Sequence, residues 1–408
     1  MTLVTATQPS PVPSRMAALH YGLAYLGVHM AFMPLLVLLV PRRIELLAPG
    51  QSAELLSWVL LAGACAAGAG NMLAGHLGDR WLEHHGNRRG LVAIGVVLLA
   101  ASYGLLAMSG TFSGLLTSIV VYQLALNCAF APLGALLADH FPDHTKGRMG
   151  GIMTAALPLS SLSVVLVGWL FPQDGAGAFV FAGALAVACF VPLLIDWRLG
   201  EVALSGQDDP AAPSAPWVPR DFAIAWGSKL AVQLGASFVQ GYIYLYLVTL
   251  PAAQGQATAL LALMSGPAAL LAMVATLGAG FASDRLRRRR IPLAIASVAL
   301  ALGLVLLAQA EGIAMLLLGY AAFQAGLAAF SSVDVALIGQ LVARQPNRGA
   351  LLGIMNLTNT LPSAMAPVLT LLAVRQGALQ QTLGELFLLC AGLTMVAGLS
   401  ILRIRSVR

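Results

Sequence analysis

Two short charged segments with the same pattern are the first candidates for chemistry in this sequence. In each of them a glycine precedes an Asp-Arg pair by the same spacing, and each lies between two long apolar runs. Carboxylates and guanidiniums form strong, charge-assisted hydrogen bonds, so such segments can hold two parts of a protein together and release them. The residues concerned are Gly75, Asp79, Arg80, Arg88 and Arg89 in the first segment, and Gly280, Asp284 and Arg285 in the second.

Two further charges, Lys229 and Asp334, lie well inside apolar runs. At 1.5 Å per helical residue, both would lie roughly 10–12 Å deep in a bilayer. A charge at this depth needs a partner, so we predict an ion pair in which Asp334 is a candidate proton carrier. The alternatives are that Lys229 extends to the lipid headgroups and that Asp334 only stabilises the packing of neighbouring helices within one half of the protein. His20 and His29 are further candidates for proton coupling, because an imidazole can bind and release a proton near neutral pH.

Uncharged polar side chains form a third group, since hydroxyls and carboxamides inside apolar runs can hydrogen-bond a neutral solute. Each one is also able to bond a neighbouring helix instead, so the group is a pool of candidates for a binding cavity. No arginine is expected to be buried, and this argues against an anionic ligand, which would need an arginine in the cavity. The candidates are Tyr21, Tyr25, Gln123, Asn127, Gln233, Gln240, Tyr244, Gln324, Asn356 and Asn359.

The composition identifies the environment in which these residues must work. Only 9% of the residues are charged and 59% are hydrophobic, which indicates a polytopic membrane protein. The net charge of +6 comes from basic residues at the ends of apolar runs, so we attribute it to lipid headgroups and expect no nucleic-acid partner. The four cysteines lie in apolar runs without Cys-x-x-Cys spacing, so we predict no disulfide and no metal site. His76, His84, His85, His140 and His144 are interpreted as loop residues.

Twelve apolar spans can be separated at charged or Pro/Gly-rich breaks, which predicts an all-α integral membrane fold of two six-helix bundles. The first span is expected to end at Val40, the second at residue 75 and the eighth at residue 281. Eighteen of the 22 Lys and Arg residues fall on one side of the membrane, so we predict that both termini are cytoplasmic. The predicted regions are a disordered tail (1–15), an N-terminal bundle (16–195), a linker (196–220), a C-terminal bundle (221–402) and a basic tail (403–408).

The two bundles carry further repeated features. Gly151-Ile-Met153 recurs as Gly353-Ile-Met355, and each copy is followed by a Leu-Pro pair. With the duplicated Asp-Arg segments, these matches indicate that two related halves are joined in tandem. On these motifs the sequence resembles the major facilitator superfamily. The five residues between Arg80 and Gly86, and the Ala-Leu-Leu-Ala-Asp run that ends at Asp139, are similar to the branch of sucrose:proton symporters and related uncharacterised bacterial carriers.

The resemblance implies a latch between the halves. Asp79 is expected to face the start of the eleventh span near Leu351, and Arg88 or Arg89 is expected to pair with Asp139. Such a latch would close the cytoplasmic side in the outward-open state. The alternative is that these are solvated loop charges.

The resemblance implies secondary active transport by alternating access, and no enzyme is expected. We predict proton-coupled symport of a sugar or another small neutral polar metabolite, with the proton as the only cofactor. One alternative is proton-driven efflux of amphipathic compounds, and another is a non-transporting membrane factor for assembly or sensing. The expected location is the plasma membrane, or the inner membrane in a bacterium, and the expected state is a monomer in the lipid bilayer.

Overall fold

The structure, a computed structural model, describes residues 15–141, 143–173, 175–197, 199, 218–253, 255–286, 288–342, 345, 348–374 and 379–405, without the side chains of residues 138, 143–148, 151, 284 and 348–350. The predicted N-terminal tail and most of the predicted linker lie outside this description. All regular structure in the described part is helical. The helices are α1 (Arg15–Pro34), α2 (Val40–Leu47), α3 (Ser52–His85), α4 (Arg89–Met108), α5 (Phe112–His140), α6 (Asp143–Leu170), α7 (Ala176–Ile195), α8 (Pro219–Thr249), α9 (Ala257–Leu286), α10 (Arg290–Ala308), α11 (Ile313–Val342), α12 (Arg348–Val374) and α13 (Leu379–Ser400).

Twelve segments among the described residues are long and apolar enough to cross a bilayer. The first of them combines α1, a π-helical turn (Leu35–Leu39) and α2 into one continuous span. This count confirms the predicted twelve-span, all-helical fold.

The helices pack as two bundles with the same internal arrangement. In the first bundle α1 packs against α6 and α7, while α5 packs against α3 and α4; in the second, α8 packs against α12 and α13, while α11 packs against α9 and α10. The bundles meet where α3 packs against α12 and α6 packs against α9, which are equivalent pairs under the same symmetry. Glycine permits the closest crossings: a Cβ at Gly95 would overlap the backbone of Ala129, and one at Gly303 would overlap the backbone of Phe323.

Three predicted span ends fall short, because the helices continue beyond the apolar runs. Residues 75–85 belong to α3, which ends only at Gly86, where φ is 67° and the Gly86 N–H donates to the Leu82 carbonyl at 2.8 Å. No residue before this left-handed glycine interrupts the helix. His76, His84 and His85 are therefore helical, as are His140 and His144, so their assignment to loops is wrong. Likewise, α9 continues to Leu286.

The first span also continues past its predicted end, through a change of helical register. The Val40 N–H reaches the Leu35 carbonyl five residues back, and Pro41, which has no N–H, follows at once. As a result Arg42 and Arg43 lie in α2, where they are 3% and 8% exposed, so the expectation of no buried arginine is wrong. They donate to the carbonyls of Phe171 and Ser109 at 2.8 and 2.6 Å, where α6 and α4 have just ended.

The two ends of the bundles differ in how closely the bundles approach. Asp79 and Asp139 lie at the end of the bundles that also has most of the Lys and Arg residues, and we call it the basic end. We call the opposite end, which carries Arg42 and Arg43, the far end. Towards the far end, a Cβ at Gly168 of α6 would lie 3.1 Å from the Ala262 side chain of α9. At the basic end, the Asp79 side chain is 71% exposed, and the basic-end half of α12 exposes the polar residues Asn356, Asn359 and Thr360. The space between the bundles is therefore closed at the far end and open at the basic end.

Candidate functional site

Arg88 is the centre of a three-residue ionic cluster at the basic end. Its Nε donates to Asp139 Oδ2 at 2.7 Å, and its Nη2 donates to Asp79 Oδ1 at 3.0 Å. Because Arg88 immediately precedes α4, while Asp79 lies on α3 and Asp139 on α5, the cluster joins three helices of the first bundle. The predicted pairing with Asp139 is thereby confirmed, with Arg88 as the partner.

Burial alone would lower the pKa of the Arg88 guanidinium, but its hydrogen bonds to Asp139 and Asp79 outweigh this effect and raise the pKa above its usual value. Gly78 makes room for the group, since a Cβ at this position would lie 2.9 Å from Arg88 Nη1. Sequence reasoning chose Gly75 and missed Gly78. A Cβ at Gly75 would meet nothing within 4 Å, and the signal for Gly78 was its place next to Asp79 on a small-residue face of α3.

The latch between the bundles stays a prediction, because the side chains of residues 348–350 at the start of α12 lie outside the described residues. Among the described residues, Asp79 has no hydrogen bond or ion pair with α12, because it is bound to Arg88 in its own bundle. Arg89 donates twice to the Leu194 carbonyl, at 3.0 and 2.7 Å, and so ties α4 to the end of α7. Arg80 is exposed.

The second copy of the charged segment is built differently. Arg285 is exposed, and its guanidinium carbon lies 6.0 Å from the ring centre of Phe281. The side chain of Asp284 lies outside the described residues. The duplicated sequence has thus produced an ionic cluster around the buried Arg88 in the first bundle and, for Arg285, a cation–aromatic contact in the second.

Lys229 and Asp334 form an ion pair inside the second bundle, as predicted. Lys229 Nζ lies 3.0 Å from Asp334 Oδ2, and the two side chains are 15% and 4% exposed. The pair connects α8 to α11. In an environment with so little water, the attraction is strong, and loss of either charge leaves the other one uncompensated.

Three members of the predicted polar pool form a hydrogen-bonded chain. Gln233 Nε2 on α8 donates to Asn359 Oδ1 on α12 at 2.9 Å, and Asn359 Nδ2 donates to Asn356 Oδ1 at 3.0 Å. We call Gln233, Asn359 and Asn356 the carboxamide chain. Both asparagines are exposed, and Gln233 is half-buried.

The first bundle presents aromatic rings at the corresponding place. Tyr25 lies 5.9 Å from Phe130 and 5.1 Å from His29, while Tyr21 lies 5.4 Å from Phe141, all measured between ring centres. The Tyr21 hydroxyl contacts the sulfur of Met153 at 3.7 Å, which joins α1 to α6. Tyr21 is fully buried, so only the half-buried rings of Tyr25 and Phe130 offer a surface to an apolar or planar ligand.

Neither histidine candidate joins the ion pair of the second bundle. His29 Nδ1 lies 3.1 Å from the Tyr25 carbonyl one turn back. His20 Nδ1 lies 3.4 Å from the backbone carbonyl of Asp196 and 4.0 Å from its carboxylate, so it fastens α1 to the residue that follows α7.

The remaining polar candidates are placed as follows. Asn127 donates to the Gln123 carbonyl at 2.9 Å and accepts from Asn71 Nδ2 at 3.2 Å. Asn71 on α3 was missed, although a lone carboxamide in an apolar span could have identified it. Gln324 and Tyr244 are buried and Gln240 is half-buried, and none of the three belongs to the carboxamide chain.

A hydrogen bond between the bundles was also missed. The Ser57 hydroxyl on α3 lies 2.6 Å from the Tyr242 hydroxyl on α8, and neither residue is accessible to solvent. Ser57 donates its own proton to the Ala53 carbonyl at 2.6 Å, so Tyr242 is the donor to Ser57. Next to this bond, a Cβ at Gly241 would lie 2.9 Å from Leu60. Serine and tyrosine in an apolar span give no signal in the sequence that they meet across 185 residues.

Comparison with known proteins agrees with this architecture. The chain superposes on the nucleoside transporter NupG with a TM-score of 0.64 and 14% identity, over 96% of this chain and 99% of the other. An aspartate-to-alanine variant of NupG gives a TM-score of 0.68 at 14% identity, over 95% and 99% of the two chains.

A bacterial homologue of the human lysosomal transporter Spinster, in an inward-facing and unoccupied conformation, gives a TM-score of 0.63 at 13% identity, over 95% and 94%. No curated protein matches the sequence at a significant level. The family model described as "Major Facilitator Superfamily" matches residues 17–367. With its two equivalent bundles and twelve spans, the chain belongs to the major facilitator superfamily.

Proposed function

We propose that this protein is a proton-coupled symporter that takes up a sugar or another small neutral polar metabolite across the plasma membrane, or the inner membrane of a bacterium. The basic end is then the cytoplasmic side, in keeping with the excess of Lys and Arg there. In this orientation the structure corresponds to an inward-open state. The sucrose-carrier motifs and the structural likeness to a nucleoside transporter both point to uncharged, hydrogen-bonding solutes.

The observation that carries the proposal is the Lys229–Asp334 pair beside the carboxamide chain. Protonation of Asp334 would cancel its attraction to Lys229 and change the packing of α8 against α11. Because Lys229 and Gln233 are four residues apart on α8, a change at the pair reaches the chain within one helical turn. Asp334 is therefore the proposed proton carrier, and Lys229 its counter-charge.

Uptake into liposomes tests this proposal. Purified protein is reconstituted, and uptake of radiolabelled sucrose, uridine and succinate is measured with and without an inward proton gradient. We expect the gradient to stimulate uptake of an uncharged probe several-fold and a protonophore to abolish this stimulation. Asp334→Asn should remove the stimulation, whereas the matched control Glu385→Gln, an exposed carboxylate of α13, should keep it. A gradient that drives no uncharged probe, or that drives it equally in Asp334→Asn, would contradict the proposal.

Efflux of amphipathic compounds is the second candidate function, and the aromatic lining of the first bundle favours it. The half-buried rings of Tyr25 and Phe130 could hold a planar apolar ligand. In the same liposomes, an antiporter would release protons from the lumen when an amphipathic cation such as ethidium is added outside. That result, together with no uptake of sucrose or uridine, would select efflux.

A further inference from the structure

Helix α12 has three distinct faces, and one of them cannot contact lipid. One exposed face is apolar and carries Leu357, Leu361, Val368 and Leu372. A buried face packs into the protein. The third face is exposed and polar, and it carries Asn356, Asn359, Thr360 and Ser363. Because polar groups are unfavourable in hydrocarbon, this third face must border the water-filled space between the bundles.

Helix α8 presents a matching polar face to the same space. Lys229, Gln233, Ser237 and Gln240 follow one another at spacings of three or four residues, and all are half-buried. The Trp226 indole N–H donates to the Ile354 carbonyl at 3.0 Å, which holds α8 against α12 near the basic end. The carboxamide chain bridges the two polar faces at Gln233 and Asn359.

The hydrogen bonds within the chain leave unused groups of opposite kinds at its two ends. Gln233 keeps its carbonyl oxygen as an acceptor, and Asn356 keeps its amide N–H groups as donors. Between them, Asn359 has a spare N–H and a spare lone pair. The chain therefore offers donors and acceptors side by side and carries no charge.

The nearest formal charges do not favour an ionic ligand. The Lys229 ammonium is taken up by Asp334 at 3.0 Å, so it provides no free cation for a carboxylate or a phosphate. An anion bound at the carboxamide chain would lose its water without gaining a counter-charge. An uncharged ligand with a hydrogen-bond donor next to an acceptor would replace its hydrogen bonds to water by hydrogen bonds to the carboxamides.

We propose that the carboxamide chain is the recognition site of this transporter, and that its ligand is uncharged and presents a hydrogen-bond donor next to an acceptor. Two kinds of ligand have this chemistry: the imide edge of a pyrimidine and the neighbouring hydroxyls of a sugar. The inference rests on the proposed transport function and names the substrate class at its site. Asn359 is the central residue, since it bonds both other members of the chain.

Equilibrium binding to purified full-length protein tests the inference, with uridine, sucrose and succinate as probes. We expect uridine or sucrose to bind the wild type and its Kd to rise at least tenfold in Asn359→Ala and in Gln233→Ala. The matched control is Gln381→Ala, which removes an exposed carboxamide that bonds Glu385 on α13, and its Kd should equal that of the wild type. Whichever of the two uncharged probes binds shows whether the site recognises a pyrimidine or a sugar.

Three results would overturn the inference: equal Kd values in the wild type and Asn359→Ala, selective binding of succinate, or no binding of either uncharged probe. Thermal unfolding of each variant without ligand separates loss of binding from loss of folding. Failure of the site and failure of the transport proposal are distinguishable. Gradient-driven uptake that is unchanged in Asn359→Ala rejects the site alone, whereas Asn359-dependent binding without gradient-driven uptake rejects proton coupling alone.

Discussion

The two bundles have the same helix arrangement but different side-chain chemistry at the space between them. The first bundle contributes the half-buried rings of Tyr25 and Phe130, while the second contributes the carboxamide chain and the Lys229–Asp334 pair. The arrangement depends on small residues at helix crossings and on apolar length, which both halves have kept. The polar side chains differ between the halves, and in the second bundle they also join α8 to α12 and to α11. We infer that recognition and coupling belong mainly to the second bundle.

The two copies of the charged segment also differ, but here the first bundle has the more extensive set of polar contacts. In the first bundle the segment forms the cluster of Asp79, Arg88 and Asp139, whereas in the second Arg285 is exposed beside Phe281. Replacement of a buried guanidinium that has two carboxylate partners therefore costs more stability than replacement of an exposed one. Among the described residues, the first bundle thus has an ion pair with a buried arginine at the basic end, and the second has an ion pair within the membrane.

The largest expected effect concerns the ion pair of the second bundle. Lys229→Met leaves Asp334 buried without its partner, and we expect a loss of about 3–5 kcal/mol in the free energy of unfolding. The double variant Lys229→Met/Asp334→Asn removes both charges and should recover much of this loss. Chemical denaturation in detergent measures both values. Equal stabilities of the single and double variants would contradict this account, because the loss would then not come from an unpaired Asp334 carboxylate.

The cluster of the first bundle is expected to show the next largest effect. Arg88→Gln removes the hydrogen bond to Asp139, worth roughly 1.5–3 kcal/mol, and the bond to the exposed Asp79, which adds little because water replaces it. Arg285→Gln, the same change in the second copy, should leave stability within about 0.5 kcal/mol of the wild type. Thermal unfolding of the two variants side by side makes the comparison. Equal losses would show that the copies are energetically equivalent.

Two glycines three residues apart should respond with opposite signs. Gly78→Ala places a methyl 2.9 Å from Arg88 Nη1 and should destabilise the protein by roughly 1 kcal/mol, because the guanidinium is held by two carboxylates. Gly75→Ala meets no neighbour and should stabilise α3 by roughly 0.5–1 kcal/mol. The difference in Tm between the variants measures this contrast. Stabilisation by both would mean that Arg88 moves aside at no cost.

The smallest effect is expected at the hydrogen bond between the bundles. Tyr242→Phe removes the donor to Ser57, and a hydrogen bond inside a membrane protein contributes about 0.6 kcal/mol on average, so opening at the far end should become about threefold more frequent. Tyr246→Phe is the control, since its hydroxyl bonds the Leu307 carbonyl within the second bundle. Distances between spin labels on α3 and α8 report the opening. An equal shift in both variants would assign the effect to general loosening.

Some features of the site could be predicted from the sequence, because they depend on local spacing or on the high free energy of an unpaired charge in the membrane. A charge inside an apolar run must find a partner, so Lys229 and Asp334 could be matched before any coordinates were seen. The pairing of Arg88 or Arg89 with Asp139 was implied by the family resemblance, and the structure shows that Arg88 is the partner. The carboxamide chain could be predicted only as members of a pool, since each of its residues could equally have bonded a neighbouring helix.

Other features depend on helix phase and on contacts distant in sequence. The path of the first span past Val40 depends on a π-helical turn, which changes the direction of Arg42 and Arg43 and buries them. Gly78, Asn71 and the Ser57–Tyr242 bond become recognisable only when α3 has been placed against Arg88, α5 and α8.

The sequence by itself determined the environment of this protein, its twelve spans, its duplication and the need for its buried charges to be paired. These follow from the free energy of placing apolar and charged groups in a bilayer, which depends on composition and on position along the chain. Only the tertiary structure decided which end of the cavity is open, which carboxamides share hydrogen bonds, and how the two charged segments differ. Those outcomes depend on rotations and crossings of helices, where a few degrees decide whether two side chains meet.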